Sequence, residues 1–228
     1  MDEPAANSTT PPAAWQEGWR QVVETARRTV RDGLVVGTSG NVSLRVGDAV
    51  LVTPSAVPYD RLGPHDLCAV DLDGRRLAGG LRPTSELPLH LAVHRVRPSA
   101  AVVHTHALHA TAVSTLVDEL PAVHYQLATL GGPVRVAPYA RYGSAELAAA
   151  ALAALEDRQA CLLRNHGTVV LGDDLDQAFE RTAQLEWMCR LWLTAHSVPG
   201  LTPSLLSAAE LADAAEPLRD YRPRPAAP

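Results

Sequence analysis

The sequence contains no lysine, so all 20 of its basic residues are arginine. This absence excludes any mechanism in which a lysine forms a Schiff base with a carbonyl substrate. Acidic residues outnumber basic ones, and the 228-residue chain has a formal net charge of −5. Binding to nucleic acid requires a basic surface that neutralises phosphates, and we therefore expect no nucleic-acid partner.

Cysteine and long apolar segments are scarce as well. The three cysteines, Cys68, Cys161 and Cys189, are far apart and form no CxxC pair, which favours buried thiols in a reducing compartment. No apolar run approaches the roughly 20 residues that span a bilayer. The acidic, proline-rich start is unlike a secretory signal. These features predict a cytoplasmic protein with no membrane association.

Aromatic residues make up only 4% of the chain, and its 46% of hydrophobic residues are mostly alanine, valine and leucine. This composition predicts a globular protein with an aliphatic core, and the length suits one domain. Proline-rich termini predict a flexible N-terminal tail over residues 1–13 and a flexible C-terminal tail over residues 222–228. We expect the single domain over residues 14–221.

Helical and strand patterns alternate along this domain. Apolar periodicity predicts helices over residues 15–30, 85–97, 107–116, 144–157, 174–196 and 207–219. Strand patterns begin with two hairpins that turn near Gly47 and Gly74. Because hairpins rule out a purely parallel sheet, we expect an α/β domain whose mixed sheet carries helices on both faces. Neither GxGxxG nor GxxxxGK[ST] occurs, so the sequence supports neither a dinucleotide-binding fold nor an NTPase.

The segment VVHTHALHA places three histidines within six positions. On a strand, His104 and His106 leave the same face with Cα atoms about 6.6 Å apart, close enough for both rings to bind one ion. His166, beside Gly167 at a predicted turn between two apolar strands, is the best candidate for a third ligand. Three interpretations of this cluster remain open: a metal site, an acid–base site and a chance cluster of histidines. The other histidines lack metal-like spacing and are assigned to helix faces or the surface: His65, His90, His94, His109, His124 and His196.

Three hydroxyl-rich turns favour an anionic ligand. GTSGNVS (37–43) and VTPSAVPYD (52–60) expose backbone N–H groups and hydroxyls. RPTSE (82–86) lies at a predicted helix N-terminus, where the dipole favours a phosphate. Each turn alone is typical of an ordinary loop. Glu86 has two interpretations: it stabilises the first helical turn, or it faces a metal and moves a proton.

Seven segments, in order along the chain, resemble the class II aldolase/adducin family. They are GTSGNVSLR, VTPSAVPYDRL, RPTSELPLHLAVHRVRP, AVVHTHALHATAVSTL, LPAVHYQLATLGG, VAPYARYGSAELA and RNHGTVVLGDDLDQAFERTAQLE. The resemblance implies a three-layer α/β/α sandwich with a central mixed, largely antiparallel sheet. It also implies a class II, metal-dependent aldehyde-lyase that reversibly cleaves a ketose 1-phosphate into dihydroxyacetone phosphate and an aldehyde.

The resemblance assigns roles to individual residues. His104, His106 and His166 match the family's zinc ligands, with one Zn²⁺ per subunit. Glu86 matches the catalytic acid/base, and Tyr125 matches a tyrosine from the neighbouring subunit that handles the proton on the aldehyde side. A cyclic homotetramer with active sites between subunits follows from the same resemblance. The remaining matches are substrate-binding, at the phosphate (Thr38, Gly40, Asn41, Ser55, Thr84, Ser85) and in the aldehyde pocket (Tyr142, Tyr221).

One departure and several alternatives accompany this assignment. Ala56 stands where the family usually has glycine, which puts the phosphate contact of Ser55 in question. The family's pentulose-phosphate epimerases carry aspartate at the position of Glu86, so the glutamate argues against epimerisation. A methylthioribulose-1-phosphate dehydratase and a sugar-acid phosphate decarboxylase remain alternatives on the same zinc site. A non-catalytic scaffold like the adducin head domains fits less well, because those domains do not keep the metal histidines.

Overall fold

The computed structural model describes residues 11–97 and 101–219. Most of the two predicted tails, 1–13 and 222–228, lies outside these residues, and the first helix begins at Ala13. Within the described ranges, no helix combines the length and apolar character needed to cross a membrane.

The described strands form one nine-stranded sheet with the spatial order β4-β3-β2-β1-β5-β9-β8-β7-β6. Their bounds are β1 (Asn41–Val46), β2 (Ala49–Val52), β3 (Ala69–Asp71), β4 (Arg76–Ala78), β5 (Ala101–Thr105), β6 (Glu119–Leu120), β7 (Val134–Ala137), β8 (Ala160–Leu163) and β9 (Gly167–Gly172). Among these strands only β7 and β8 pair in parallel. The sheet is therefore mixed and largely antiparallel, as predicted.

Six helices in the described residues pack around this sheet. They are α1 (Ala13–Arg31), α2 (Leu87–Val96), α3 (Leu108–Leu116), α4 (Ala145–Ala154), α5 (Leu175–His196) and α6 (Ala208–Arg219). Side chains alternate across β5: Val103 packs in the core with α1, whereas Val102 packs with α2 and α4. Helices thus cover both faces, and the three-layer α/β fold is confirmed.

The central strand β5 is buried along its whole length, because helices cover both of its faces. Val102, Val103 and His104 are each 0% exposed. A strand in this position is held on both sides by β1 and β9, so the side chains at its end are rigidly placed. The site described below lies at that end.

Most predicted elements are present, with two differences that matter for function. The helix expected from residue 85 begins at Leu87, which makes Glu86 its N-terminal cap residue. The strand expected to contain both histidines of HTH ends at Thr105, so His106 lies one residue beyond it. The sequence patterns also did not predict β6 or the 3₁₀ helix Tyr125–Leu130.

Candidate metal centre and active site

Four side chains from distant parts of the chain meet at the end of β5. The ring centroids of His104, His106 and His166 lie between 4.8 and 5.0 Å apart. Glu86 Oε2 lies 2.9 Å from His104 Nε2, and Glu86 Oε1 lies 3.5 Å from His166 Nε2. One candidate ligand atom from each of the four residues lies within 4.8 Å of the others. The structure thus brings together the three predicted ligands and the predicted acid/base.

The pairing of β5 with β9 orients two of these rings. His104 Nδ1 lies 2.7 Å from the carbonyl oxygen of Thr168, which can only accept, so Nδ1 carries a proton and Nε2 faces the cluster. A Cβ atom on Gly167 would lie 2.1 Å from the Thr105 carbonyl oxygen. Glycine therefore permits the close approach of the two strands that brings His166 beside His106.

Glu86 does not cap the helix that it begins. Its side chain makes no capping hydrogen bond, and its Oε2 instead accepts from Asn41 Nδ2 at 3.0 Å and contacts His104. The side chain is 6% exposed. The carboxylate faces the histidines and not the helix N-terminus. Of the two interpretations of Glu86, the geometry therefore favours a carboxylate that faces a metal over one that stabilises the first helical turn.

Protonation of the cluster is set by its burial and by its neighbours. Burial opposes ionisation of Glu86, but the neighbouring His104 and the hydrogen bond that Asn41 donates outweigh it, so the carboxyl pKa lies well below its usual range. Burial, together with repulsion between neighbouring rings, lowers the pKa of His106 and of His166 to about 4. Near neutral pH His106 and His166 are therefore neutral imidazoles, and Glu86 is a carboxylate.

This donor set fits a divalent cation of the zinc type. Zinc takes four nitrogen, sulfur or oxygen ligands, and two nitrogens about 2.1 Å from a tetrahedral ion lie about 3.4 Å apart. His104 Nε2 and His106 Nε2 are separated by 3.1 Å. Glu86 Oε1 is buried and has no hydrogen-bond partner among the described residues. Either a nearby cation or a proton would satisfy an oxygen in that state.

A cavity of about 680 Å³ adjoins the cluster, and residues from all three hydroxyl-rich turns line it. An isolated bridge between Pro54 and Pro83 joins the second turn to the third. The first turn packs against β5, because Gly40 has φ +80° and a Cβ there would lie 2.8 Å from the His104 carbonyl oxygen. The predicted substrate-binding residues that line this cavity are Thr38, Gly40, Asn41, Ser55, Thr84, Ser85 and Tyr142.

The hydroxyls in the cavity differ in what they can offer an anion. Ser55 donates its hydroxyl hydrogen to the Pro83 carbonyl, at 2.8 Å, and so has no hydrogen left for a phosphate. Thr84 Oγ1 accepts from the Glu86 backbone N–H at 3.2 Å, which leaves its own hydrogen free to donate. Ala56 has φ 60°, so the backbone beside Ser55 keeps a left-handed conformation that favours glycine.

Of the three predicted tyrosines, one lines the cavity, one does not, and one lies outside the described residues. Tyr142 lines the cavity and is 65% exposed. Tyr125 is 47% exposed and does not line the cavity; its ring packs against His124. Tyr221 lies outside the described residues. His109 belongs to α3, as predicted, and bonds to Glu186.

Several residues of the site escaped sequence analysis. Arg82, Tyr139 and Asn165 also line the cavity, and Arg82 adds a positive charge to it. His90 and His94, which were assigned to helix faces or the surface, lie on α2; both are 0% exposed and bond to Ser43. Their spacing of four residues on α2 was a signal that one helix face buries both rings.

Together, the mixed three-layer fold and this cluster define a protein with a candidate metal centre beside a hydroxyl-lined cavity. Residues 20–193 match the family model of the class II aldolase and adducin N-terminal domain. The L-fuculose phosphate aldolase of Escherichia coli strain K12 is 39% identical over 204 residues, which cover 89% of this chain and 94% of that protein.

Two further comparisons agree. A 5-methylthioribulose-1-phosphate/5-deoxyribulose-1-phosphate aldolase of Rhodospirillum rubrum is 36% identical, over 88% of this chain and 90% of that protein. A solved structure of L-fuculose 1-phosphate aldolase superposes with a TM-score of 0.85 at 31% identity, covering 89% of this chain and 96% of that one. The chain belongs to the class II aldolase/adducin family.

Membership confirms the resemblance to this family that the sequence shows. Within the family, the sequence resembles L-fuculose-1-phosphate aldolase. The relatives are class II aldolases, and the protein is therefore a class II, metal-dependent aldehyde-lyase.

Proposed function

We propose that the protein is a zinc-dependent aldolase that reversibly cleaves a ketose 1-phosphate of the L-fuculose 1-phosphate type into dihydroxyacetone phosphate and an aldehyde. The observation that carries this proposal is the buried carboxylate of Glu86, which faces three imidazoles at the edge of a hydroxyl-lined cavity. His104, His106 and His166 would hold the ion. A bound Zn²⁺ supplies Lewis acidity toward the substrate's carbonyl and adjacent hydroxyl oxygens.

The protein's own residues would manage two protons. In the cleavage direction the C3–C4 bond breaks, the C4 hydroxyl loses a proton to become the aldehyde, and C3 gains a proton. Glu86 would move the proton at C3, since its Oε1 is buried without a partner beside the cavity. Tyr125 would handle the proton on the aldehyde side. Tyr142 and Tyr221 would line the aldehyde pocket.

The three turns would fix the phosphate and so orient the bond that breaks. Thr38, Gly40, Thr84 and Ser85 offer hydroxyls or backbone N–H groups around one cavity. Asn41 is proposed to act mainly on Glu86, because its amide already bonds to that carboxylate.

Tyr125 supports a proposal about assembly. It is half-exposed and lies outside the cavity that contains Glu86, so the tyrosine that serves this cavity would come from a second copy. We therefore propose a homotetramer with active sites between subunits. Each subunit is proposed to consist of one domain over residues 14–221. All three cysteines are free and buried, which is consistent with the proposed cytoplasmic location.

The test is a panel of ketose 1-phosphates with assay of dihydroxyacetone phosphate. L-fuculose 1-phosphate is expected to give this product, a chelator to abolish it, and added Zn²⁺ to restore it. 5-Deoxyribulose 1-phosphate and 5-methylthioribulose 1-phosphate belong in the panel, because the Rhodospirillum rubrum relative is named for them.

Other outcomes would identify the alternatives. If methylthioribulose 1-phosphate loses water and no substrate yields dihydroxyacetone phosphate, the protein is the dehydratase. Release of CO₂ from a sugar-acid phosphate would identify the decarboxylase. Absence of stoichiometric metal from carefully purified protein would contradict every one of these enzymes.

A further inference from the structure

A hydrogen-bonded chain of buried side chains runs from Glu86 away from the cavity. Asn41 Nδ2 lies 3.0 Å from Glu86 Oε2, and Asn41 Oδ1 lies 2.5 Å from His90 Nε2. Ser43 Oγ joins two rings, at 2.6 Å from His90 Nδ1 and 2.7 Å from His94 Nε2. Ser43, His90 and His94 are each 0% exposed. None of these three residues takes part in the proposed reaction.

The chemistry of each group determines the direction of every hydrogen bond in this chain. A carboxylate only accepts, so Asn41 donates from Nδ2 to Glu86 and is left with Oδ1 as an acceptor. His90 must therefore donate from Nε2. Burial, with repulsion from His94 and His104, lowers the pKa of His90 to about 3, so the ring is neutral and its Nδ1 accepts. Ser43 then donates to His90.

The last member of the chain follows by the same rule. With its only hydrogen given to His90, the Ser43 hydroxyl accepts from His94 Nε2. His94 Nδ1 is buried and has no partner in the part of the chain that the structure describes, which ends the series. All four hydrogen bonds point toward Glu86, an arrangement in which each bond polarises the next.

We propose that His90 is a positioning residue for Glu86: its Nε2–H holds the Asn41 amide so that the NH₂ group, and not the oxygen, faces the carboxylate. This inference rests on the proposed acid/base role of Glu86. If the amide rotated by half a turn, Asn41 Oδ1 would face Glu86 Oε2 with no hydrogen between two acceptors. The His90 N–H would also lose its acceptor.

This positioning has a consequence for the reacting oxygen. Oε2 of Glu86 accepts a hydrogen bond from Asn41 Nδ2, whereas Oε1 has no hydrogen-bond partner among the described residues. The oriented amide therefore leaves Oε1 as the oxygen that is free to move the proton. An apolar side chain at position 90 could fill the same space but could not select the amide orientation.

The first experiment measures protons without any substrate. Long-range ¹H–¹⁵N NMR of the unsubstituted protein is expected to show His90 and His94 as Nε2–H tautomers, and one Asn41 NH₂ proton protected from exchange. A His90 ring protonated at Nδ1 overturns the proposal. Because no reaction is involved, a negative result here is distinct from a failure to cleave ketose phosphates.

The second experiment separates positioning from packing. We expect His90→Leu to lower kcat about 10–100-fold, as loss of an outer partner does at such sites, with metal content and KM unchanged. His90→Gln, which can both donate to Asn41 and accept from Ser43, is expected to recover part of the loss. Unchanged kcat in His90→Leu overturns the proposal. His109→Leu, on the Glu186 side of α3, is the matched control.

A double-mutant cycle completes the test. If His90 acts only through Asn41, His90→Leu is expected to cost nothing further in an Asn41→Ala background. Losses in kcat that multiply would show that His90 acts independently of Asn41 and would overturn the proposal. If His90→Leu does not fold, Ser43→Ala takes its place; a mixture of His90 tautomers with lower kcat supports the proposal, and normal kcat overturns it.

Discussion

Asn41 and His104 are direct cross-strand partners on β1 and β5, and both side chains reach Glu86 Oε2. In an antiparallel pair, side chains of opposed residues leave the same face of the sheet. Glu86 approaches that face from the start of α2. The strand register thus gives the carboxylate two fixed partners before any substrate binds.

Glu86→Gln tests the proton transfer itself. The substitution keeps the shape of the side chain but removes a base, so we expect metal content to be retained and kcat to fall by about 10²–10⁴-fold. Steady-state kinetics with metal analysis measures both quantities. Glu146→Gln, an exposed residue of α4, serves as the matched control. Full turnover in the Glu86 variant would refute its proposed role.

Alanine substitutions at two histidines, three residues apart in the sequence, test the metal centre. His106 lies in the cluster, whereas His109 bonds to Glu186. We expect His106→Ala to lower zinc affinity by at least about 10-fold, because a ligand is lost, and His109→Ala to bind zinc normally. Competition with a chromogenic chelator measures both affinities. Equal affinities in the two variants would remove His106 from the ligand set.

Gly167→Ala tests the close contact between β9 and β5. A Cβ there would lie 2.1 Å from the Thr105 carbonyl oxygen, a backbone atom that cannot move aside. We expect the free energy of unfolding to fall by about 3 kcal/mol and zinc affinity to fall with it. Gly80→Ala, where a Cβ meets nothing within 4 Å, is expected to change stability by less than about 0.5 kcal/mol. Denaturant titration distinguishes these results.

Ala56→Gly tests backbone strain beside the proposed phosphate site. The left-handed φ of 60° costs alanine about 1–2 kcal/mol, and the greater freedom of glycine in the unfolded chain offsets about 0.4–1 kcal/mol. We expect the free energy of unfolding to rise by up to about 1.6 kcal/mol, and KM for the ketose phosphate to fall. Asp157→Gly, at φ 57°, is expected to share the stability gain without the change in KM.

The buried His94 predicts a loss of stability in acid. Burial, and repulsion from Arg45, lower its pKa to about 4 in the folded protein, below the unfolded value of 6.5. As pH falls below 6.5, the unfolded chain binds the proton first, so stability present above that pH is lost progressively toward pH 4. This residue alone is expected to contribute a loss of about 2 kcal/mol between pH 7 and pH 5.

The corresponding measurement compares the unsubstituted protein with His94→Gln. For each protein, the unfolding free energy at pH 5 is subtracted from that at pH 7. This difference is expected to be smaller in the variant than in the unsubstituted protein, because glutamine does not titrate. Buried histidines that do not interact with His94 contribute equally to both proteins and cancel in the comparison, whereas His90, whose pKa is lowered partly by His94, adds a smaller difference of its own. An identical pH dependence would show that His94 is not the group that titrates.

Much of the fold follows from local patterns. Alternating residues predicted the hairpin of β1 and β2, and capping residues placed the helices that begin after Ser144 and Asp174. Local signals failed where tertiary contacts decide: the 3₁₀ helix Tyr125–Leu130 and the two-residue strand β6 have no periodicity long enough to detect.

For the site, the sequence by itself determined which donor types are available and in which order they occur. His104, His106, His166 and Glu86 were candidates because of residue type, strand period and family resemblance. Only the tertiary structure decided that they meet, since strand pairing and the start of α2 bring together positions up to 80 residues apart. It also decided the role of Asn41 and the burial of His90, because a hydrogen bond depends on distances and directions that a linear pattern does not contain.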